Sequence, residues 1–422
     1  MNPREDIKAD QHLSSASLNH RNFVGGLWHG AFMTLGVSLT QPATVISAFV
    51  ADLTGSTIWV GGLMTVLTVA GAIPQILVAR LIEPRPRKMP YLLIAIYLRV
   101  ISWGILAWSI YASGGQNPMM LAGILVGMLV IFYAGGGLGN IPYTDIIGKI
   151  IPPNKRGAFY GGIGTLAGPL SISAAFAARY ILANVPYPNN YALLFGIAAV
   201  GLSIASIGFW VIREPILAST HKKPQSWPEF RQHLLSASRE LRPLITAQLL
   251  TGFSLMVLPF YVVYAREHLG APADSVGWFL LAQVLGGSLS NLVWGRIVDT
   301  SGSRRMLFIC AVISAMTPLV AVVLGSFSWL AMMPIFFFAG AVFNGRKVGF
   351  QSALLEVSPA AERSTYTGLN AVLTLPVAFL SLLAGLLLQY WSYSMLFLIA
   401  SVFIGVGAVV IYRWSLEVGQ TN

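Results

Sequence analysis

Runs of about 20 mostly apolar residues recur along this chain, each long enough to carry a helix across a hydrocarbon core of about 30 Å. Twelve can be placed, near 23–50, 57–80, 90–112, 118–147, 158–183, 191–212, 243–266, 275–296, 304–326, 328–355, 366–389 and 393–414. Lipid offers no water to an open backbone, so segments of this length cross it as helices. Composition agrees, since only 10% of the 422 residues are charged and 55% are hydrophobic, with a mean hydropathy of +0.70; a soluble domain carries about 25% charge. The first apolar run begins near Phe23, after a polar stretch that includes Arg4, Glu5, Asp6 and Lys8, which is not the pattern of a cleaved signal peptide. The lone Cys310 excludes an internal disulfide framework and a cysteine-based metal site.

The net charge of +11 does not point to nucleic acid, because the basic residues form no patch interleaved with aromatics. They sort by membrane side. With both termini placed in the cytoplasm, 21 of the 26 Lys and Arg fall on the inner side and two, Arg179 and Arg266, on the outer, leaving Arg99, Arg346 and Lys347 within spans. This is the positive-inside pattern, and it requires an even number of crossings. The longest hydrophilic stretch divides the chain into six spans plus six. The expected organisation is a cytoplasmic tail over 1–22, a six-helix bundle over 23–212, a cytoplasmic linker over 213–242, a second bundle over 243–414 and a tail over 415–422.

The two halves look like duplicates. A shift of 207 residues sets Pro152 on Pro359, Arg156 on Arg363 and Gly161 on Gly368. A second correspondence sets Ala79, Arg80, Leu81, Ile82 and Glu83, followed by Arg87 and Lys88, against Gly295, Arg296, Ile297, Val298 and Asp299, followed by Arg304 and Arg305. The segment from Gly295 through Asp299 and Gly302 to Arg305 resembles the signature loop of the major facilitator superfamily, roughly G-x-x-x-D-R-x-G-R-R, with Thr300 in place of a base and Ser303 before the arginine pair. The resemblance extends over the whole chain in helix count, central linker and duplication. It implies an all-α membrane fold of twelve transmembrane helices in two pseudo-symmetric six-helix bundles, and transport without a cofactor. On physical grounds Gly295 would let two helices touch, while Asp299 would accept hydrogen bonds at a neighbouring helix N-terminus. Arg80, Glu83, Arg296, Gly302, Arg304 and Arg305 complete the gating candidates; the alternative is a tight turn carrying topology-setting charges. In the fifth span Gly164–Pro169 resembles a G-x-x-x-G-P motif of proton-coupled exporters, with close packing and a proline kink as its plainer content.

The same resemblance implies that spans 1, 4, 7 and 10 line a central cavity. Polar groups at membrane depth are expensive and so are functional candidates. These spans offer His29 and Gln41, then Asn140 and Tyr143, then Gln248 and Tyr261, then Asn344, Arg346 and Lys347 as substrate-binding candidates. Each can instead be a helix-to-helix hydrogen-bonding residue. Asp145 and Glu356, near cytoplasmic helix ends, are candidates for a coupled proton or for salt bridges with loop bases. Arg99, about ten residues into the third span, reads as paired with the fourth span rather than facing the solute. Of the two central bases, Arg346 is expected to face the solute, and the other to be tied to a neighbouring helix.

These features point to a secondary transporter of a small solute, an organic anion in the first reading, in the cytoplasmic (inner) membrane. A proton or other ion would be the coupling partner, membrane lipid the surroundings, and the monomer the working unit. Proton-coupled drug efflux is the alternative within transport, though it calls for an acid deep in the spans. A membrane-embedded sensor or enzyme is the alternative outside it. The chain lacks a phosphate-binding loop and a His-x-x-x-His or His-Glu pairing, so no ATPase domain, metal site or catalytic residue is expected.

Overall fold

The computed structural model describes residues 3–82, 85, 87–152, 155–215, 227–359 and 363–419; the Arg80 side chain and Glu83 lie outside what it describes. In chain order the helices are α1 (Pro3–Leu39), α2 (Ser47–Thr54), α3 (Thr57–Ile82), α4 (Met89–Ser113), α5 (Pro118–Ile150), α6 (Arg156–Asn184) and α7 (Asn189–Val211). After these come α8 (Trp227–Thr251), α9 (Phe253–Val257), α10 (Phe260–His268), α11 (Ser275–Leu324), α12 (Met333–Val357), α13 (Arg363–Leu373), α14 (Leu380–Leu387) and α15 (Tyr393–Gly419). No strand occurs among the described residues.

Among the described residues eleven helical stretches are long and apolar enough to cross a membrane. One of them, the 50-residue α11, is two crossings joined at Gly302, whose φ of 80° and ψ of 164° interrupt the helix. A side chain is rarely tolerated at that φ, so the glycine expected to make the turn does make it. Other crossings are assembled from broken pieces. Pro259 separates α9 from α10, and Pro376 lies in the 3-10 turn Leu375–Phe379 between α13 and α14. Each lacks the N–H that a continuous helix would use. Large apolar side chains crowd the outer faces, Leu292 at 78% exposure among them, as lipid contact requires.

By internal contacts the chain forms two compact units, one of 1–40 with 67–221 and the other of 41–66 with 222–422. The segment 41–66, which sequence order would count in the first bundle, therefore packs with the second unit. Its start has a local cause. Gln41 precedes Pro42 and is driven toward extended backbone, with ψ at 119°, which ends α1. The Gln41 carbonyl then accepts from the amides of Thr44, Val45 and Ile46 in a wide π turn. Within the second unit this hairpin is held by an Asp52–Arg266 ion pair. The Thr57 and Thr65 hydroxyls add hydrogen bonds to the carbonyls of Gly385 and Ala378, at 3.0 and 2.7 Å.

In the first unit the middle of α1 is tied to the segment that follows α7. The Asn22 side chain and the Arg213 backbone exchange two hydrogen bonds, at 3.1 and 2.8 Å. Glu214 then caps α4 from a distance in sequence, its Oε2 accepting from the amides of Lys88 and Met89 at 2.8 Å each. Its Oε1 meets Lys149 at 3.2 Å, and the side chain is only 5% exposed. Glu214→Ala would orphan both amides and strand Lys149, so it is expected to cost about 2 kcal/mol and to lower the melting temperature in detergent. An unchanged melting temperature would remove the cap from the account.

Candidate functional site

Three of the substrate-binding candidates converge in the first unit. His29 on α1 and Asn140 and Tyr143 on α5 line one cavity of about 270 Å³, closed by residues of α4 and by Phe209 on α7. His29 is buried and its Nδ1 donates to the Ala205 carbonyl at 3.1 Å. That bond fixes the ring, which stacks on Phe209 with centroids 3.7 Å apart and lies 5.8 Å from the ring of Tyr143. Asn140, which is exposed, stands at the rim. The Asn140 amide and the Tyr143 hydroxyl make no hydrogen bond to any described side chain or backbone group.

The charge in this cavity belongs to Arg99, which the sequence reading set aside as paired. Among the described residues that line the cavity it is the only charged one. Arg99 lies ten residues into α4, about 15 Å from the helix start and so near mid-depth. Its guanidinium sits over Phe132, with Cζ 4.2 Å from the ring centroid, and Nη1 reaches Met33 Sδ at 3.7 Å. Nε is buried with no acceptor, and among the described residues no carboxylate pairs with it. The expected partner on the fourth span is present, as a ring and not an acid. The available signal was the run Gly135, Gly136, Gly137 and Gly139 on α5. A Cβ at Gly135 would fall 3.1 Å from Arg99 Cγ, and one at Gly139 would fall 3.0 Å from Ala95 Cβ. The glycines make room for α4 and for the arginine stem.

The remaining substrate candidates lie in the second unit and do not gather into one cavity. Gln248 donates to Asn370 Oδ1 at 2.7 Å, Asn344 donates to the Gly287 carbonyl at 2.9 Å, and Gln41 heads the hairpin. Tyr261 is buried between Phe336 and Phe397. Arg346 was the base expected to face a solute, yet it is the tied one. It donates to the Thr251 hydroxyl and, at 3.4 Å, to the Gln248 carbonyl, and it lies over Phe350. Lys347, one residue and about 100° further round α12, is exposed. Like Arg99, Arg346 has no carboxylate partner among the described residues.

The acids Asp145 and Glu356, near the C-terminal ends of α5 and α12, are engaged. Asp145 lies 3.1 Å from Lys88 and 2.6 Å from Lys149, and Glu356 accepts from Ser303 at 2.7 Å. In the signature loop, Asp299 is exposed and forms no ion pair or side-chain hydrogen bond with a described residue. Arg296 and Arg305 are exposed, and Arg304 lies over the Trp414 ring at 4.7 Å. Gly295 is not a contact point, because a Cβ there would meet nothing within 4 Å. Close approach occurs elsewhere on α11, at Gly286 and Gly287 against α12. Gly164 and Gly168 on α6 likewise face open space, so the expected close packing of that motif is absent. Among the described residues no three His, Cys, Asp or Glu side chains gather as a metal ligand set.

The sequence pattern of the Major Facilitator Superfamily matches residues 244–421. No curated protein is significantly similar in sequence. Among solved structures, a bacterial homologue of the iron transporter ferroportin in an inward-facing state is 13% identical with a TM-score of 0.68, covering 95% of this chain and 99% of that one. A POT family transporter in complex with 5-aminolevulinic acid is 12% identical with a TM-score of 0.70, covering 94% and 96%. A D-xylose–proton symporter is 16% identical with a TM-score of 0.63, covering 92% and 96%. At such identities the likeness is one of fold.

Proposed function

We propose that this chain is a secondary transporter of the Major Facilitator Superfamily that moves a small organic anion across the cytoplasmic membrane by alternating access; the family's sequence pattern over residues 244–421 and the likeness in fold to solved transporters support the reading. One observation carries the choice of an anion. Two arginines, Arg99 and Arg346, stand near mid-depth of their spans, and neither has a carboxylate partner among the described residues. A basic side chain at that depth costs about 2.5 to 3.5 kcal/mol on insertion scales. A ring face or a hydroxyl offsets part of this; a bound anion offsets the rest, and does so only while the solute is present.

Drug efflux by cation recognition finds less support, since among the described residues no acid lines the cavity that holds His29, Asn140 and Tyr143. The protein is read as a monomer with both termini in the cytoplasm, coupled to a proton or another ion. Purified protein in liposomes, given an imposed ion gradient and a panel of labelled organic acids, is expected to accumulate at least one acid above equilibrium. Accumulation of organic cations alone, or of nothing in the panel, would contradict the reading.

A further inference from the structure

The solute site can be placed more closely than the fold alone allows. The cavity in the first unit holds one fixed positive charge, and its other polar groups are neutral. Arg99 presents a buried Nε without an acceptor among the described residues, while Asn140 and Tyr143 offer donors that no described protein group takes up. The rest of the wall is apolar or aromatic, with Phe209 held rigid by its stack on His29.

Resting on the anion-transport reading above, we infer that this cavity is the solute-binding site and that it takes a small monocarboxylate with an apolar or aromatic body, its carboxylate on Arg99. Charge selects the head group. One guanidinium neutralises one negative charge, whereas a phosphate carries about −1.5 to −2 at neutral pH and would leave excess negative charge near mid-membrane. Guanidinium geometry also suits a carboxylate, which it can hold by two parallel hydrogen bonds. Size selects the body. About 270 Å³, at roughly 30 Å³ for each water-sized group, holds on the order of ten non-hydrogen atoms. The ring face of Phe209 and the neighbouring aliphatic wall accept a flat or aliphatic group. The glycine run on α5 is part of the site, since a Cβ at Gly136 would meet only Arg99 Cζ, at 3.9 Å; the missing side chain leaves the guanidinium open to the cavity.

Three molecules of matched shape separate charge from size: benzoate, neutral benzamide and cationic benzamidinium. Isothermal titration of the detergent-purified full chain is expected to give measurable benzoate binding. Benzamide should bind at least tenfold more weakly, and benzamidinium and inorganic phosphate not at all. Arg99→Met should weaken benzoate at least tenfold. Gly136→Leu, which keeps the charge but fills the space beside it, should do the same, while Arg413→Gln on the exposed end of α15 should change it less than twofold. Absence of benzoate binding to the unaltered chain, or equal affinity for benzamide, overturns the inference without needing any variant to fold. Benzoate binding lost in Arg346→Met but kept in Arg99→Met overturns the site and leaves anion transport standing. Benzoate binding that depends on Arg99, in a protein that accumulates no organic acid in liposomes, supports the site and overturns the transport reading.

Discussion

Gly340→Val is expected to leave little or no monodisperse protein in detergent. A Cβ built at Gly340 would fall 2.0 Å from the Gln283 carbonyl oxygen, and the reciprocal position, Gly286, would put one 1.8 Å from the Phe337 carbonyl oxygen. Both obstacles are backbone, so no side chain can swing aside; α11 and α12 would have to separate. Helix pairs in lipid gain nothing from hydrophobic exclusion between them and depend on such close approach. Overpacking costs 1 to 3 kcal/mol where neighbours can shift, and Gly340→Ala is placed at the upper end, about 3 kcal/mol, with the branched Val beyond it. Gly405→Ala on α15 is the control, because nothing lies within 4 Å of a Cβ there and alanine is the better helix former. Its melting temperature should be unchanged or higher. If Gly340→Val purifies and melts like the unaltered chain, the α11–α12 contact is not the close one described.

Arg99→Met should separate stability from transport in opposite directions. The substitution removes a mid-depth charge whose insertion costs about 2.5 to 3.5 kcal/mol. It gives up the contact with Phe132, worth about 0.5 to 2 kcal/mol, while the thioether fills similar space. The melting temperature is therefore expected to hold or rise. Transport should nevertheless fall by about thirtyfold or more, since removing one partner of a desolvated charge pair costs about 2 to 5 kcal/mol in binding. Arg99→Lys keeps the charge but loses the two-pronged geometry, and an intermediate loss of about tenfold is expected. Initial uptake rates beside melting curves decide between a binding role and a structural one. A marked fall in melting temperature with transport intact would make Arg99 a packing residue.

The spans and the turn at Gly302 were legible in the sequence because length and a glycine between two polar stretches are local properties. Helix rotation was not. A membrane helix is apolar nearly all round, so no polar stripe says which face turns inward. Arg346 and Arg99 illustrate the consequence. Both were visible as bases inside spans, but which one met a satisfied hydroxyl and which one met an open cavity depended on Thr251 and on the glycines of α5, far away in the chain. Gly295 misled for the same reason, since a motif position specified a glycine without saying what it faced. His29, Asn140 and Tyr143 were named from the cost of polar groups in spans that the family resemblance assigns to a cavity, whereas Phe209, which lines the same cavity, had no polar atom to mark it. The hairpin of 41–66 packs with the second unit through tertiary contacts that sequence order conceals.

The most direct test is counterflow in proteoliposomes loaded with an unlabelled organic acid, with a labelled monocarboxylate outside and its amide or amidine isostere as competitor. An anion transporter should take up the labelled acid, lose that uptake to excess unlabelled acid, and ignore the amide and the amidinium at the same concentration. Uptake competed equally well by the neutral or cationic isostere would contradict recognition of an anion and with it the central claim.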